Sequence, residues 1–390
     1  MKKKLIYLLA AVTLAAAVCG VKPTRSGAAP FDPDTKGSLK VHPMKATDEN
    51  ADMAADLKSA EARVDIYLVA EAVKMPGYDT YQYKATSAFQ AMSESIEKKT
   101  EKAEDWEAMA QEAAKIVFEP DSSAKVSATG KADGETAVSN LTPGLYLLLA
   151  RGGVGTDRVA DFRKDVTDDE GNPIIATYAN SAQYEYTFMP QLISLPMRDS
   201  EVPVNPPVPP NTADRGDWAY DLDVYLKPER SVRYGSLTIR KVLSSYESEA
   251  DLPNDPVTFV FQVDGETEGT SENGGVLPSY HAVDSLTFTA AGEDTITFEK
   301  IPVTLKLTVS EVYGGSGYEI APDTGGVIRE NIEITADETQ VVEIPFINVH
   351  NDDLKRGHGI KNQFTYAPTN PDDPASGGAW DWESEPSQNQ

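Results

Sequence analysis

The stretch Gly235-Ser236-Leu237-Thr238-Ile239-Arg240-Lys241 has the alternation of a β-strand that buries one side. Successive side chains of a strand point to opposite sides, so Leu237, Ile239 and Lys241 share one side. The lysine therefore occupies the next inward position after two apolar residues. Burying an amine is costly unless the amine finds a partner, and later parts of the chain offer partners.

Two later stretches place other polar residues in the same way. Glu311 continues the apolar side of the strand that ends at Val309-Ser310, and Asn348 continues the apolar side of the strand that ends at Phe346-Ile347. The pattern predicts that an amine, a carboxyl and a carboxamide meet inside one β-domain. The apolar residues that define the two sides are Val303, Leu305, Leu307 and Val309 for the first strand, and Val342, Ile344 and Phe346 for the second.

These three groups can react with each other. An apolar pocket lowers the pKa of a lysine and raises the pKa of a glutamate. A neutral Lys241 amine is a nucleophile, and a protonated Glu311 can polarise the Asn348 carbonyl and shuttle protons. Attack would release ammonia and leave an isopeptide bond between the first and last strands of the domain, which restricts the unfolded chain. The alternative is a salt bridge at the domain edge, with Asn348 in a turn.

Residues 233–350 resemble a Cna-B-type domain, the immunoglobulin-like module of Gram-positive surface adhesins and pilins. The resemblance rests on Gly235–Lys241 at the start, on Ser310-Glu311-Val312-Tyr313 with Ser316-Gly317-Tyr318, and on Phe346-Ile347-Asn348 at the end. It implies that the lysine and the asparagine form an intramolecular isopeptide bond and that the glutamate catalyses its formation.

The net charge of −27 over 390 residues limits the choice of partners. Phosphate binding needs a basic surface, so nucleic acid is not expected as a partner. The length suffices for two or three domains. Acidity of this degree suits a soluble secreted protein and says little about the fold.

The N-terminus reads as a signal peptide. Lys2-Lys3-Lys4 precede the apolar stretch from Leu5 to Val18, and Ala17-Val18-Cys19 offers a cleavage site. We expect a signal peptide over residues 1–19, with lipoprotein processing at Cys19 as the alternative, and a flexible leader over 20–35. Because Cys19 is the only cysteine, a chain cut after it has no disulfides despite export. The expected location is the exterior of the cell, at the cell wall.

Residues 36–228 are predicted to form a first β-domain of the same general kind, with a helical insertion. Between strand-like stretches, apolar residues recur at helical spacing over 86–117, which predicts two helices there. The predicted strands lie at 37–41, 64–69, 145–149, 174–178 and 184–193, with 218–227 as the last strand.

The remaining segments complete the predicted organisation. The proline-rich residues 201–217 are interpreted as a surface loop, with an interdomain linker as the alternative. The second domain runs over 229–350. Residues 351–390 are rich in Asn, Asp, Pro and Gly, and are predicted to be a disordered tail. The predicted fold class is therefore mainly β, with tandem immunoglobulin-like β-sandwich domains and helices inserted in the first.

The first domain lacks the reactive trio. Its counterpart of Lys241 is Pro43, two residues past Val41, and the strand at Leu145–Leu149 continues into Ala150-Arg151 without an inward acid. We therefore predict no isopeptide bond of this type in the first domain. Another lysine could serve if the strand register differs.

A second motif lies at Trp218-Ala219-Tyr220-Asp221-Leu222-Asp223-Val224-Tyr225-Leu226-Lys227. It resembles the pilin motif of sortase-assembled major pilins, in which a tryptophan and alternating apolar residues precede Tyr-Pro-Lys. Trp218, Val224, Tyr225 and Lys227 match, whereas Leu226 replaces the proline. The resemblance implies that the Lys227 amine accepts the sortase-bound end of the next subunit. An ordinary surface lysine is the alternative.

The function that follows is that of a secreted surface protein resembling a pilin backbone subunit. Its expected partners are other pilin subunits, a sortase and a host surface ligand. The four histidines have no metal-ligand spacing, and neither a metal nor a cofactor is expected. The alternatives are a monomeric adhesin that binds host protein or glycan and, more remotely, a secreted hydrolase. Apart from the bond that it would form in itself, no enzymatic activity is expected.

Overall fold

The computed structural model describes eleven parts of the chain, which form two compact units, Met1–Arg233 and Tyr234–Gln390. The predictions for the signal peptide at 1–19, for Cys19, and for the loop at 201–217 fall outside the described residues. Within the described parts, no helix is long and apolar enough to cross a membrane. The described residues are 30–98, 102–153, 157–168, 170–198, 218–247, 256–266, 278–337, 341–351, 353, 362–368 and 378–384.

The first unit contains fourteen described strands and three described α-helices. The helices are α1 (Ala51–Ser59), α2 (Ser93–Glu97) and α3 (Ala103–Val117). Short 3-10 turns lie at Asp48–Asn50, Ser87–Met92 and Val159–Phe162. The strands are β1 (Gly37–His42), β2 (Arg63–Lys74), β3 (Tyr81–Ala85), β4 (Ala128–Lys131), β5 (Ala137–Leu141), β6 (Gly144–Arg151), β7 (Arg163–Thr167), β8 (Pro173–Asn180), β9 (Tyr184–Phe188), β10 (Gln191–Leu195), β11 (Met197–Arg198), β12 (Trp218–Ala219), β13 (Asp221–Tyr225) and β14 (Pro228–Val232).

The sheet of β10-β6-β2-β3 is buried on both faces at its centre, with β4 also paired to β2. One face of β6, with Tyr146 and Leu148, packs into a core that includes residues of β1 and β13. The other face, with Leu147 and Leu149, packs against the inserted helices. All eight residues of β6 are buried, which explains its uninterrupted apolar sequence. The other sheets have the orders β13-β1-β5, β14-β9-β8-β7 and β11-β12.

The helical insertion lies where helical spacing predicts it. α3 buries Met109, Ala110, Ala113 and Ala114, while the 3-10 turn Ser87–Met92 leads directly into α2. α1 was not predicted, because Leu57 is its only buried residue and the helix has no repeat of buried apolar residues. The mainly β fold class with inserted helices is confirmed.

Two strand predictions for the first unit were wrong in detail. The predicted strand at 184–193 is two strands in different sheets, since β9 pairs with β8 and β10 pairs with β6. Pro190 lies at the break and has no backbone N–H to donate. The stretch 218–227 is not the last strand of its unit, because β14 follows and pairs with β9. The unit therefore ends at Arg233 instead of at 228.

The second unit is a sandwich of two four-stranded sheets, with the orders β18-β15-β22-β20 and β17-β16-β19-β21. Leu237 and Ile239 of β15 meet Phe259 and Phe261 of β16 in one buried core. β15 and β22 pair in parallel, with Ile239 opposite Ile344. The strands are β15 (Tyr234–Leu243), β16 (Val257–Glu266), β17 (Ser279–Phe288), β18 (Gly292–Pro302), β19 (Lys306–Tyr313), β20 (Tyr318–Ile320), β21 (Ile328–Ile332) and β22 (Val342–His350).

Within the described residues 362–368 and 378–384, the C-terminal segment differs from the disordered tail that composition predicts. Two strands, β23 (Asn362–Pro368) and β24 (Gly378–Ser384), pair in antiparallel fashion. Their register sets Phe364 opposite Trp382 and Tyr366 opposite Trp380.

A buried ion pair joins β2 to β6 in the first unit. Arg151 Nε donates to Asp65 Oδ2 at 2.8 Å, and Thr129 Oγ1 donates to Asp65 Oδ1 at 2.7 Å. The side chains of both charged residues are almost fully buried, at 3% and 4% exposure. Removing one partner of such a pair leaves an uncompensated charge in the interior.

We therefore expect Asp65→Ala to lower the free energy of unfolding of the first unit by about 3–5 kcal/mol. Asp165→Ala is the control, because it removes the partner of Arg163 in an exposed pair with an N–O distance of 2.8 Å. Exposed pairs contribute less than about 1 kcal/mol. Urea unfolding of the full chain measures the free energy of unfolding of both variants. Equal decreases in the two variants would contradict an additional cost of leaving Arg151 buried without its partner.

Candidate functional site

Lys241 lies within β15 and is fully buried. Its register partner in the parallel neighbour β22 is Phe346. The Nζ atom lies 4.0 Å from the ring centre of Phe259 and 5.8 Å from that of Phe261. The alternation of β15 therefore carries the lysine into the apolar core between the two sheets.

Glu311 and Asn348 approach the lysine from different sheets. Asn348 lies on β22 in the same sheet as Lys241, opposite Leu243. Glu311 lies on β19 in the facing sheet, opposite Phe261. Asn348 is fully buried, and the Glu311 side chain has no exposed surface, although 5% of the whole residue is exposed. The three predicted site residues of the second unit therefore meet across the interior of the sandwich.

The three polar groups form a closed ring of hydrogen bonds. Lys241 Nζ donates to Glu311 Oε2 at 2.6 Å and also to Asn348 Oδ1. Asn348 Nδ2 donates to Glu311 Oε1 at 2.6 Å. The glutamate thus contacts the amide nitrogen of the asparagine, while the lysine contacts its carbonyl oxygen. The sequence-based expectation had the glutamate at the carbonyl.

Burial controls the charge of the lysine. Loss of hydration lowers the pKa of Lys241 from its ordinary value of 10.5 to about 8, and the negative charge and hydrogen bond of Glu311 oppose that change. Desolvation favours the neutral amine, whereas the carboxylate favours the ammonium. A substantial fraction of neutral amine is therefore present at mildly alkaline pH.

The backbone of Gly314 completes the site, and sequence reasoning missed it. The Gly314 carbonyl accepts a second hydrogen bond from Asn348 Nδ2 at 3.3 Å. A Cβ atom at this position would lie 3.0 Å from Glu311 Oε1 and 3.4 Å from Asn348 Nδ2. The glycine therefore allows the backbone to pass close to both side chains. A carbonyl contact leaves no trace in side-chain patterns, although the run Gly314-Gly315 marks a close approach of the backbone.

The arrangement can act as a proton relay. The Glu311 carboxyl contacts both the lysine nitrogen and the amide nitrogen of the asparagine. It can therefore move a proton from the first nitrogen to the second. The described residues contain no cluster of three or more His, Cys, Asp or Glu side chains that could hold a metal ion.

Lys227, the other predicted site residue, follows β13 in the first unit and is exposed. The preceding Leu226 is buried, and its N–H donates to the His42 carbonyl at 3.0 Å. His42 stacks on Tyr225 with ring centres 4.4 Å apart, and its Nε2 lies 2.7 Å from Asp223 Oδ1. The backbone beside the lysine is therefore firmly held, while the lysine side chain reaches solvent.

Trp218 begins the same motif and is held by a separate cluster. Its Nε1 donates to Asp79 Oδ1 at 3.2 Å. The Arg198 guanidinium lies 4.3 Å from its ring centre and donates to Asp79 Oδ2 at 2.6 Å. Phe31, which is fully buried, packs against the same ring at 5.7 Å. The Trp218 side chain thus packs β12 against Phe31, near the start of the described chain, and has a structural role.

Among its described residues, the first unit shows no buried lysine, carboxyl and carboxamide that meet as the trio does. Pro43 follows β1, and the buried acid of this unit, Asp65, lies on β2 beside Arg151. None of the described lysines of this unit is buried. The absence of a lysine-based cross-link in the first unit remains a prediction.

Comparison with known proteins finds a likeness among solved structures only. No protein-family model and no curated protein sequence matches the chain. A major pilin from Streptococcus pyogenes is 12% identical, with 81% of this chain and 98% of that chain covered and a TM-score of 0.17. The minor pilin of Streptococcus agalactiae is 12% identical, with 83% and 99% covered and a TM-score of 0.18.

An adhesin from Mobiluncus mulieris that contains disulfide, isopeptide and ester cross-links is 13% identical. Here 53% of this chain and 77% of that chain are covered, and the TM-score is 0.21. These solved structures are pilins and adhesins of Gram-positive type. TM-scores this low do not establish a common arrangement of the whole chain.

The lowered pKa of Lys241 predicts a pH-dependent stability in Asn348→Ala, a variant that keeps the lysine–glutamate pair without the amide. Between pH 8 and 10.5 the unfolded chain holds a proton on this lysine and the folded chain does not. The free energy of unfolding should therefore rise by about 3 kcal/mol as the pH increases through this window, and stay constant below it.

Denaturant unfolding of the full chain at a series of pH values measures this rise. The control is the triple variant Lys241→Met, Glu311→Gln and Asn348→Ala, which removes the lysine together with the carboxylate that it pairs with. The difference between the two curves then reports the buried pair, and no unpaired buried carboxyl remains in the control. A difference that does not change with pH would show that Lys241 has the same pKa in the folded and unfolded chain.

Proposed function

We propose that the protein is a secreted cell-surface structural subunit of the pilin type, and that its second unit forms an isopeptide bond between Lys241 and Asn348. The observation that carries the proposal is the ring of hydrogen bonds among Lys241, Glu311 and Asn348, all buried between two sheets. Three polar side chains in a core stabilise the fold less than three apolar ones would. Their presence here therefore favours a chemical role, such as bond formation, that apolar side chains cannot have.

The proposed reaction begins with the neutral Lys241 amine. Its nitrogen lone pair attacks Cγ of Asn348, and a new C–N bond forms. Glu311 takes a proton from the attacking nitrogen at Oε2 and delivers a proton through Oε1 to Nδ2 of Asn348. The bond between Cγ and Nδ2 then breaks and ammonia leaves. The glutamate ends the cycle in its starting protonation state, so it is a catalyst and not a reactant.

The contacts support this division of roles. Glu311 touches the nitrogen that loses a proton and the nitrogen that leaves, at 2.6 Å each. The Gly314 carbonyl holds the leaving nitrogen from a second direction. The carbonyl oxygen of Asn348 faces the lysine, so the hydrogen bond from Nζ brings the amine to the amide group that it would attack.

The bond would tie together strands that are far apart in sequence. Lys241 and Asn348 are separated by 107 positions. A cross-link that closes a loop of this length removes entropy from the unfolded chain and can add up to about 5 kcal/mol of stability. This would offset the absence of disulfides in a chain whose only cysteine is Cys19.

Assembly into a polymer is proposed to use Lys227. Its side chain is exposed and its backbone is fixed by the pairing of Leu226 with His42, as an acceptor amine for a large enzyme–subunit intermediate requires. The proposed partners are a sortase and other pilin subunits, and the proposed location is the outer surface of the cell wall after removal of residues 1–19.

The cross-link predicts a lower mass. The intact mass of the purified full chain should be about 17 Da below the mass computed for its processed sequence, because an amine displaces ammonia from an amide. Peptide mapping should place the loss on a branched peptide that contains Lys241 and Asn348. Glu311→Ala should have the full mass, since no group remains to move the proton.

Lys241→Arg is the matched control, because it keeps a buried cation beside Glu311 but offers no amine of comparable nucleophilicity. It should also have the full mass. A full mass in the parent chain would refute the cross-link, and a retained deficit in Glu311→Ala would refute the catalytic role of the glutamate.

If the subunits are polymerised by a sortase, the Lys227 amine should accept the acyl group that the sortase carries. Incubation with a pilus sortase and a Leu-Pro-x-Thr-Gly peptide should join the peptide to this lysine, as tandem mass spectrometry would detect. Lys227→Arg should abolish the adduct, while Lys131→Arg, at another exposed lysine of the first unit, should leave it unchanged. A chain that forms no adduct and remains monomeric would favour an adhesin.

A further inference from the structure

Residues Ser244–Glu247, named here the strap, follow the end of β15 and lie over the end of β22. The Ser244 N–H donates to the Asn348 carbonyl at 2.9 Å. The His350 N–H donates to Ser245 Oγ at 2.8 Å. The strap is thus hydrogen-bonded to the reactive asparagine and to the residue two positions beyond it.

Tyr318 connects the strap to the interior. Its hydroxyl accepts a hydrogen bond from the Glu247 N–H at 3.2 Å, and its side chain is almost fully buried. Its ring meets Phe259 edge-on at 6.0 Å, and Phe259 is the ring that lies 4.0 Å from Lys241 Nζ. A single tyrosine therefore joins the strap to the wall of the lysine pocket.

His350 and the turn before Tyr318 make further contacts with the strap and with the end of β22. The His350 ring meets the Tyr318 ring edge-on at 5.3 Å, and its Nδ1 lies 3.6 Å from Glu247 Oε2. The Asn351 N–H donates to the Gly317 carbonyl at 3.0 Å, which fastens the end of β22 to the turn. These contacts come from three segments of the chain, and they join the strap and the Tyr318 strand to the end of β22 that carries Asn348.

We propose that the strap, Tyr318 and His350 form a cap that keeps water away from Lys241, Glu311 and Asn348. This inference rests on the proposed cross-linking reaction and assigns to Tyr318 and Ser245 a positioning role in it. Neither residue touches the reacting atoms in the described contacts, so both act through the order of the strap.

Water at the site would interfere in two ways. Hydration stabilises the ammonium form of Lys241, which cannot attack. Water is also a competing nucleophile, because its oxygen can bond to Cγ of Asn348 while Nδ2 leaves as ammonia, which converts the amide to a carboxylate. The same Glu311 that assists the amine could assist water. Exclusion of water therefore keeps more of the lysine in its reactive neutral form and prevents hydrolysis of the Asn348 amide.

The test uses Tyr318→Phe combined with Ser245→Ala, which removes the hydrogen bonds of the Tyr318 and Ser245 hydroxyls to Glu247 and His350 but keeps the buried ring. The full chain is isolated unfolded in urea, so that no site has formed, and is then refolded by dilution at a series of pH values. Intact mass with time gives the rate of cross-linking and the final products.

For the parent chain, the rate should reach half its maximum near the lowered pKa of Lys241, at about 8. In the double variant the midpoint should move to higher pH. At neutral pH the rate should fall about tenfold for each unit of that shift, because the neutral fraction of an amine changes tenfold per pH unit below its pKa. Hydrolysed chain, about 1 Da heavier than the unreacted chain, should also appear in the variant.

Tyr280→Phe is the matched control, since the Tyr280 hydroxyl, like that of Tyr318, bonds to a backbone group of the second unit, in this case by donating to the Glu299 carbonyl at 3.3 Å. It should behave as the parent. An upward midpoint or a hydrolysed product in the double variant supports the cap. A variant with the parental midpoint and no hydrolysis overturns it, even if the reaction is slower, because a slower rate alone shows only a structural role.

The failure of the cap and the failure of the cross-link give different results. If the parent cross-links and the variant differs in neither readout, only the cap is refuted. If the parent keeps its full mass at every pH, the cross-link is refuted, and the cap is refuted with it.

Discussion

The strict alternation of side chains along β15, β19 and β22 is the constraint on which the second unit depends. Once Leu237 and Ile239 face the core, Lys241 must face it too. The same holds for Glu311 after Val309 and for Asn348 after Phe346. An isolated amine at this depth would be very costly. The fold therefore tolerates the lysine only because two strands from different parts of the sequence bring it a carboxyl and an amide.

That constraint also explains which features were predictable. The inward positions of the three residues follow from local alternation, and the inserted helices follow from the spacing of their apolar residues. The register of β15 against β22, which sets Lys241 opposite Phe346, joins residues more than a hundred positions apart and has no local signature. The direction of the Asn348 amide and the contact from the Gly314 carbonyl depend on that register, so neither could be read from the sequence.

The differences in the first unit have similar causes. α1 buries only Leu57 and thus shows no repeat. The division of 184–193 into β9 and β10 depends on which sheet each half joins. Tertiary partners decide each of these cases.

The parallel pairing of β15 with β22 has a mechanical consequence. These are the first and last strands of the sandwich, and they run side by side in the same direction. A pull on the two ends of the sandwich therefore slides one strand along the other, and the hydrogen bonds between them share the force instead of breaking one by one. β1 and β13 have the same parallel relation in the first unit. With the proposed amide in place in the second unit, and with no such bond in the first unit as predicted from its sequence, tension on the chain would lengthen the first unit before the second.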